Sequence, residues 1–254
     1  MNLKWQLVSV LVFAGVISSR AVLTLSGSYS QNFDTLSMTE GSVNAWTDDS
    51  TIAGWYSSET TFNVNHGNST TAALYDFGAN GSTDRALGSV AGNGHTYYYG
   101  VAFQNGTGGT ITSLQVSYHG EEWREAVNPN TLVFQYFLGD PTAISSTQSG
   151  WTEVTGLDFT SPASGANTYI DGNANSSTIA GTITGLNIAS GTHFWVRWKD
   201  ADDADNDAGL AIDNFSITAV PEPAGWGLIS GAGLLALCGI STWRERRAAK
   251  PRVI

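Results

Sequence analysis

The chain has 254 residues, 22 acidic against 11 basic, a formal net charge of −11 and a single cysteine. A balance this acidic repels phosphate backbones, so nucleic acid is not expected as a direct partner, whereas divalent cations and an extracellular solvent suit it. With Cys238 as the only thiol, an internal disulfide and a cysteine-based zinc or iron–sulfur centre are excluded.

Residues 1–6 carry Lys4, residues 7–17 are apolar, and Ser19-Arg20-Ala21 fits a small-x-small cleavage site. Residues 1–21 are therefore expected to be a signal peptide. An uncleaved anchor is the alternative, but an apolar run of about eleven residues is short for a span. The body, residues 22–219, holds four basic residues (Arg85, Arg124, Arg197 and Lys199) against 20 acidic ones, a net charge of −16. Its length is sufficient for one domain with a sizeable core.

The body reads as short strands between Gly, Asn, Ser and Thr clusters, with no amphipathic helical period. Strands are expected at 22–25, 29–33, 54–56, 61–64, 97–103, 111–118, 131–138, 169–170, 178–183, 193–198 and 210–219. The run 131–138 is apolar enough for a strand buried on both faces. Gly106-Thr107-Gly108-Gly109 suggests a hairpin between its flanking strands, and 173–177 a longer loop. Many short strands at this spacing predict an all-β, antiparallel β-sandwich of jelly-roll type. Asn68, Asn105, Asn175 and Asn214 begin N-x-Ser/Thr triplets, read here as ordinary polar surface.

The clearest candidate site is the loop carrying Asp200, Asp202, Asp203, Asp205 and Asp207, five carboxylates in eight residues. Like charges so close repel, and a hard cation removes that cost. Calcium, with six to eight oxygen ligands in flexible geometry, is the expected ion. An extended loop would put Asp203, Asp205 and Asp207 on one side. The pattern lacks the position-12 Glu of an EF-hand. A solvated acidic loop with no metal is the alternative.

Asp213 sits inside an apolar strand pattern (Leu210, Ile212, Phe215, Ile217) and needs a cation, an Arg or backbone donors; Asp34 is a similar case near the first strand. The pair could hold a second calcium, much as in jelly-roll carbohydrate-binding modules, where calcium often ties the first and last strands. Otherwise each caps a turn or pairs with Arg197 or Arg124. The segment Tyr118-His119-Gly120-Glu121-Glu122-Trp123-Arg124 invites an acid–base reading. Adjacent strand residues face opposite ways, so Glu121 and Glu122 cannot flank one glycosidic bond. Instead, one is expected to pair with Arg124, with Trp123 in the core. No catalytic residue is assigned.

The chain ends on Pro221-Glu222-Pro223, then twenty residues, 224–243, without a charge, then Arg244, Arg246, Arg247, Lys250 and Arg252. Twenty helical residues cover about 30 Å, the hydrocarbon thickness of a bilayer. The basic end would stay in the cytoplasm and leave the body outside. This order of features resembles the PEP-CTERM sorting signal of exopolysaccharide-producing bacteria. The resemblance implies a sorting tail over 220–254 with Pro221, Glu222, Pro223 and the arginines Arg244, Arg246 and Arg247 as its motif. It also implies recognition by an exosortase-like membrane enzyme. A plain single-pass anchor is the alternative. Gly120–Arg124, Trp151–Phe159, Asp171-Gly172-Asn173 and the stretches 197–200 and 209–216 resemble a β-sandwich domain of secreted bacterial proteins that occurs with such tails.

Three functions remain open. The first is a non-enzymatic surface or matrix protein associated with exopolysaccharide and biofilm. The second is a calcium-dependent carbohydrate-binding module, which would expose two or three of Trp46, Trp55, Tyr97, Tyr98, Tyr99 and Trp151 on one face or at loop tips. The third is a sandwich-fold glycoside hydrolase or lyase, which needs two carboxylates across a groove.

Overall fold

A computed structural model describes residues 22–222. The segments read as signal peptide and transmembrane helix, and the motif from Pro223 onward, lie outside the described residues. Among the described residues no helix is long and apolar enough to cross a membrane.

The described chain is almost entirely β. Its first strands are β1 (Leu23–Leu25), β2 (Ser28–Gln31), β3 (Val43–Ala45), β4 (Trp55–Ser57), β5 (Thr61–Asn65), β6 (Ala73–Phe77) and β7 (Ala86–Val90). The long strands β8 (Tyr97–Asn105), β9 (Ile111–Arg124) and β10 (Thr131–Leu138) follow. Two-residue strands β11 (Thr152–Glu153) and β12 (Phe159–Thr160) flank a 3-10 turn at Thr155–Leu157. The chain closes with β13 (Ser176–Ile188), β14 (His193–Asp200) and β15 (Gly209–Pro221).

One sheet runs β1-β8-β14-β10-β11, with β4 also on β8 and β12 also on β10; the other runs β13-β9-β15-β7-β6-β5-β3, with β2 also on β15. The expected two-sheet sandwich is therefore present. It is not wholly antiparallel, because β1 pairs parallel with β8 and β5 parallel with β6. The glycine-rich turn at 106–109 is not a hairpin either. β8 and β9 lie in different sheets, so this turn carries the chain across the sandwich.

Period-2 alternation fixes which side chains meet between the sheets. Tyr97, Tyr99, Val101 and Phe103 of β8 and Phe194, Val196 and Trp198 of β14 face Leu114, Val116 and Tyr118 of β9 and Leu210, Ile212, Phe215 and Ile217 of β15. The step from Ile212 to Phe215 breaks the period. A bulge absorbs it, with the register shifting between Asp213 and Ser216 and Asn214 in the left-handed region at φ 49°.

Trp198 is the centre of this core. It stacks on Trp55 at 6.0 Å and 9°, and meets Tyr118, Phe134 and Phe215 edge-on at 5.3, 5.3 and 5.2 Å. Gly120 serves the packing by omission, since a Cβ there would lie 2.3 Å from the Phe159 ring. The run 131–138 is less buried than expected, because Val133, Gln135 and Tyr136 are half-buried and Leu138 is exposed. Trp198→Ala is expected to cost about 3–5 kcal/mol in stability. Denaturant unfolding of the full chain, followed by tryptophan fluorescence, measures it.

Candidate functional site

The loops after β5, β7, β9, β12 and β14 gather at one end of the sandwich. Between them lies a polar pocket of about 180 Å³. Asp202, Asp205 and Asp207 line it together with Arg124, Asn167 and Asn93. The sequence reading placed the acidic loop at a site but gave Arg124 to a glutamate and passed over Asn93 and Asn167. No motif marks those two asparagines; folding alone brings them there.

Each carboxylate of the loop has its own donor. Gly94 N–H donates to Asp202 Oδ2 at 2.6 Å, Asn130 Nδ2 to Asp203 Oδ2 at 2.8 Å, Asn128 Nδ2 to Asp205 Oδ2 at 3.0 Å, and Asp203 N–H to Asp207 Oδ1 at 2.8 Å. Asp205 takes the left-handed conformation at φ 72°. Burial, then the charges of Asp202 and Asp203, push Asp207 up to about 6. Asp203 turns away toward Asn130, so the pocket side is Asp202, Asp205 and Asp207, and not the 203/205/207 set that simple alternation gives. Asp200 is not in the loop at all. It ends β14 two residues after Trp198, is 2% exposed, and accepts from Ser89 Oγ at 2.6 Å. Among the described residues no three His, Cys, Asp or Glu side chains converge as a metal group.

The pocket's one basic lining residue is Arg124. Arg124 Nη2 donates to the Asn167 carbonyl and Oδ1, both at 2.7 Å, and Nη1 to the Gly67 carbonyl at 3.3 Å. The expected Glu–Arg124 pair does not form. Glu121 Oε2 accepts from Trp123 Nε1 at 2.8 Å, and Glu122 Oε2 from Ala163 N–H at 2.8 Å. Trp123 is buried, but in a second apolar cluster with Tyr75 and Phe77, apart from the central core. Burial raises both glutamates to about 7. Glu121 joins Trp123 while Glu122 sits opposite Leu210, a central-core residue, so the two serve different faces.

Five of the six aromatic residues expected to form a binding face are buried: Trp46, Trp55, Tyr97, Tyr98 and Tyr99. Trp151 is half-buried over the Arg197 guanidinium, 3.6 Å from its ring centre, and Tyr98 lies on the same group at 4.4 Å. Arg197 also donates to Gln135 Oε1 and to the carbonyls of Ile144 and Ser146, and burial lowers it to about 10. These rings therefore strap the 139–151 connection to a sheet. The ring that does reach solvent is Tyr169, 57% exposed, which sequence reading took for a strand residue. It bridges to Arg124 through the backbone and stands edge-on to His66, beside the pocket.

The pairing of β2 with β15 brings Asp34 and Asp213 to one junction. Asp213 is 3% exposed; its Oδ2 accepts from Asn214 Nδ2 at 2.6 Å and its Oδ1 has no partner. Burial, then the charges of Glu121, Asp84 and Asp34, push it up to about 8. Asp34 accepts from the Arg85 N–H at 3.1 Å and from Asn32 Nδ2 at 2.6 Å. Neither aspartate pairs with Arg197 or Arg124, the alternative the sequence left open.

No protein-family model and no curated protein sequence matches the chain. Solved structures give remote likenesses. The CBM22-1 xylan-binding domain from Paenibacillus barcinonensis Xyn10C is 11% identical, with a TM-score of 0.38 over 77% of this chain and 95% of that one. The mannan-recognising module TmCBM27 is 10% identical, TM-score 0.37, over 76% and 97%. The K2 adhesin domain of Lys-gingipain is 12% identical, TM-score 0.38, over 75% and 97%. Likenesses this remote assign no function to this chain.

Glu122 is fully buried and its Oε1 has no partner. Raised from 4.5 to about 7, it keeps its proton in the folded state where the unfolded chain has lost it. Its contribution is fully present below pH 4.5 and is lost as pH rises through 7. Glu122→Gln is therefore expected to flatten the fall in Tm across that window, as measured by calorimetry at a series of pH values.

Proposed function

We propose that this chain is an exported, non-catalytic polysaccharide-binding sandwich whose binding site is the polar pocket at the loop end. The observation that carries the reading is the pocket itself, with Asp202, Asp205 and Asp207 facing Arg124 and Asn167 and an exposed Tyr169 alongside. A sugar hydroxyl both donates and accepts. Carboxylates accept a hydrogen bond from it, guanidinium and amide N–H groups donate one to it, and a solvent-facing ring covers the apolar face of a pyranose. At 180 Å³ the pocket is below the roughly 300–1,000 Å³ of drug-sized sites, so it takes one ring of a longer chain. The acidic body favours a neutral glycan over a uronic-acid polymer.

Calcium belongs to this proposal at the Asp34–Asp213 junction, where the partnerless Asp213 Oδ1 supports it. Such an ion would tie β2 to β15 beside the bulge and offset the repulsion of Asp84 and Glu121. Export and anchoring rest on the tail. The last strand stays hydrogen-bonded up to the start of its motif, with Pro221 opposite Ile111 and Glu222 N–H donating to the Thr110 carbonyl at 2.9 Å. The matrix-protein reading and the polysaccharide-binding reading then describe one protein, delivered to the cell surface by an exosortase-like enzyme and holding polysaccharide there.

Affinity electrophoresis of the full chain through neutral polysaccharides tests the binding. Retardation by at least one of them is expected, with a loss of about tenfold in affinity, or roughly 1.4 kcal/mol, in Asn167→Ala. Release of reducing ends would instead assign hydrolysis. Retardation that survives unchanged in Asn167→Ala and Asp205→Ala would move the site elsewhere.

Calcium at about a hundredfold over its dissociation constant should stabilise the chain by roughly 2.7 kcal/mol. At roughly 2–4 °C per kcal/mol for a domain of this size, Tm should rise by about 5–10 °C. The rise should vanish with chelator and in Asp213→Asn. An unchanged Tm at millimolar calcium removes the ion from the proposal.

A further inference from the structure

Every sheet edge but one is short. Among the described residues, in the first sheet β1 and β4 have three residues each and β11 and β12 two each; in the second, β3 has three and β2, paired only with β15, has four. Short edges offer little for another chain to pair with. The remaining edge is β13, thirteen residues without a charge or a proline. Its first nine residues hold an unbroken register with β9, from Ser176 opposite Glu121 to Thr184 opposite Ser113. In such a ladder every second residue turns its N–H and C=O away from the partner strand. Along β13 those groups face the open side, since β9 is its only strand partner among the described residues.

The absence of charge extends across the neighbouring surface. Thr178, Ala180, Thr182 and Thr184 of β13 are exposed, and beside them lie Gln115 and Ser117 of β9 and Ser216 and Thr218 of β15. The stretches 28–31, 111–118, 176–188 and 214–221 contain no Asp, Glu, Lys or Arg, in a body carrying 20 acidic residues and four basic ones. Two such bodies repel at contact distances inside a Debye length of about 8–10 Å. They can meet where neither presents a carboxylate, and this edge is such a place.

We propose that β13 is a homotypic contact, two copies of this chain joining their β13 edges antiparallel across a two-fold axis. The sequence is self-complementary for it. A pairing centred on Thr182 sets Ala180 against Thr184 and Gly181 against Ile183, with no like charges opposed. The half-buried Ile179 gains cover on the inner side. Main-chain hydrogen bonds supply the affinity, as in strand addition generally. Glu153 and Asp158 flank the 3-10 turn whose Leu157 packs against Gly181 of β13, so association should strengthen as salt rises.

The test uses the full chain with Cys238→Ser and single cysteines placed in turn at 178, 180, 182 and 184, with Ser50→Cys, exposed near β3, as control. Mild oxidation should cross-link position 182 several-fold more than the control, with lower yields at 178, 180 and 184. Thr178→Lys with Thr182→Lys should abolish the dimer in sedimentation velocity at about 0.15 M salt, where the Debye length of about 8 Å leaves opposed lysines repelling. A flat cross-linking profile, or a dimer that survives both lysines, overturns the proposal. So does a monomer whose β13 thiols become slow to alkylate only when polysaccharide is added, which would assign the edge to glycan. Loss of glycan binding in Asn167→Ala without any change in the cross-linking profile separates this contact from the pocket.

Discussion

The sandwich depends on Trp198 being held between two sheets at once. Its ring stacks on Trp55 of its own sheet, while Tyr118 and Phe215 approach edge-on from the other. Aromatic pairs of this kind add to area burial because their ring quadrupoles favour edge-on and offset contact. The consequence reaches the loop end. Two residues beyond Trp198 the strand stops at Asp200, tied to Ser89 of the facing sheet, and the next residues are the acidic loop. The pocket is thus hung from the most constrained point of the core.

A second constraint is electrostatic. The body carries a net −16, yet several of its carboxylates are buried. Asp76 is paired with Arg85 at 2.7 Å, while Asp200, Glu122 and Asp213 have no basic partner and are pushed up by burial. Neutralising these groups lowers the charge the folded state must carry. It also sorts the surface. Three exposed aspartates, Asp202, Asp203 and Asp205, lie in the acidic loop, while the outer face of β13, β9 and β15 carries hydroxyls, amides and Ala180. One end suits a polar ligand and one edge suits a neutral strand.

The three described arginines are used sparingly, and none is spent on surface acid. Arg85 is buried on Asp76, Arg124 staples two loops at the pocket rim, and Arg197 lies between Tyr98 and Trp151 with carbonyl partners. Residue type alone gives no hint of this division, because an arginine satisfied by carbonyls and rings reads in sequence like one awaiting a carboxylate.

Alternation and turn chemistry were enough to read an all-β chain and to place the long strands β8, β10, β14 and β15 to within two residues at either end, because period 2 is a local property; β9 runs six residues past its expected end, to Arg124. They also marked the acidic loop and the Asp34 and Asp213 pair. The short strands β3, β6 and β7 escaped notice, since Ala73–Phe77 and Ala86–Val90 carry too few residues to show a period. What only the tertiary structure decided is which sheet each strand joins and therefore which side chains meet. The crossing at 106–109, the burial of the expected binding rings, the removal of Asp200 from its loop and the meeting of Arg124 with Asn167 all follow from that. Sheet membership is set by contacts between residues far apart in the chain, and a pattern of neighbours does not encode it.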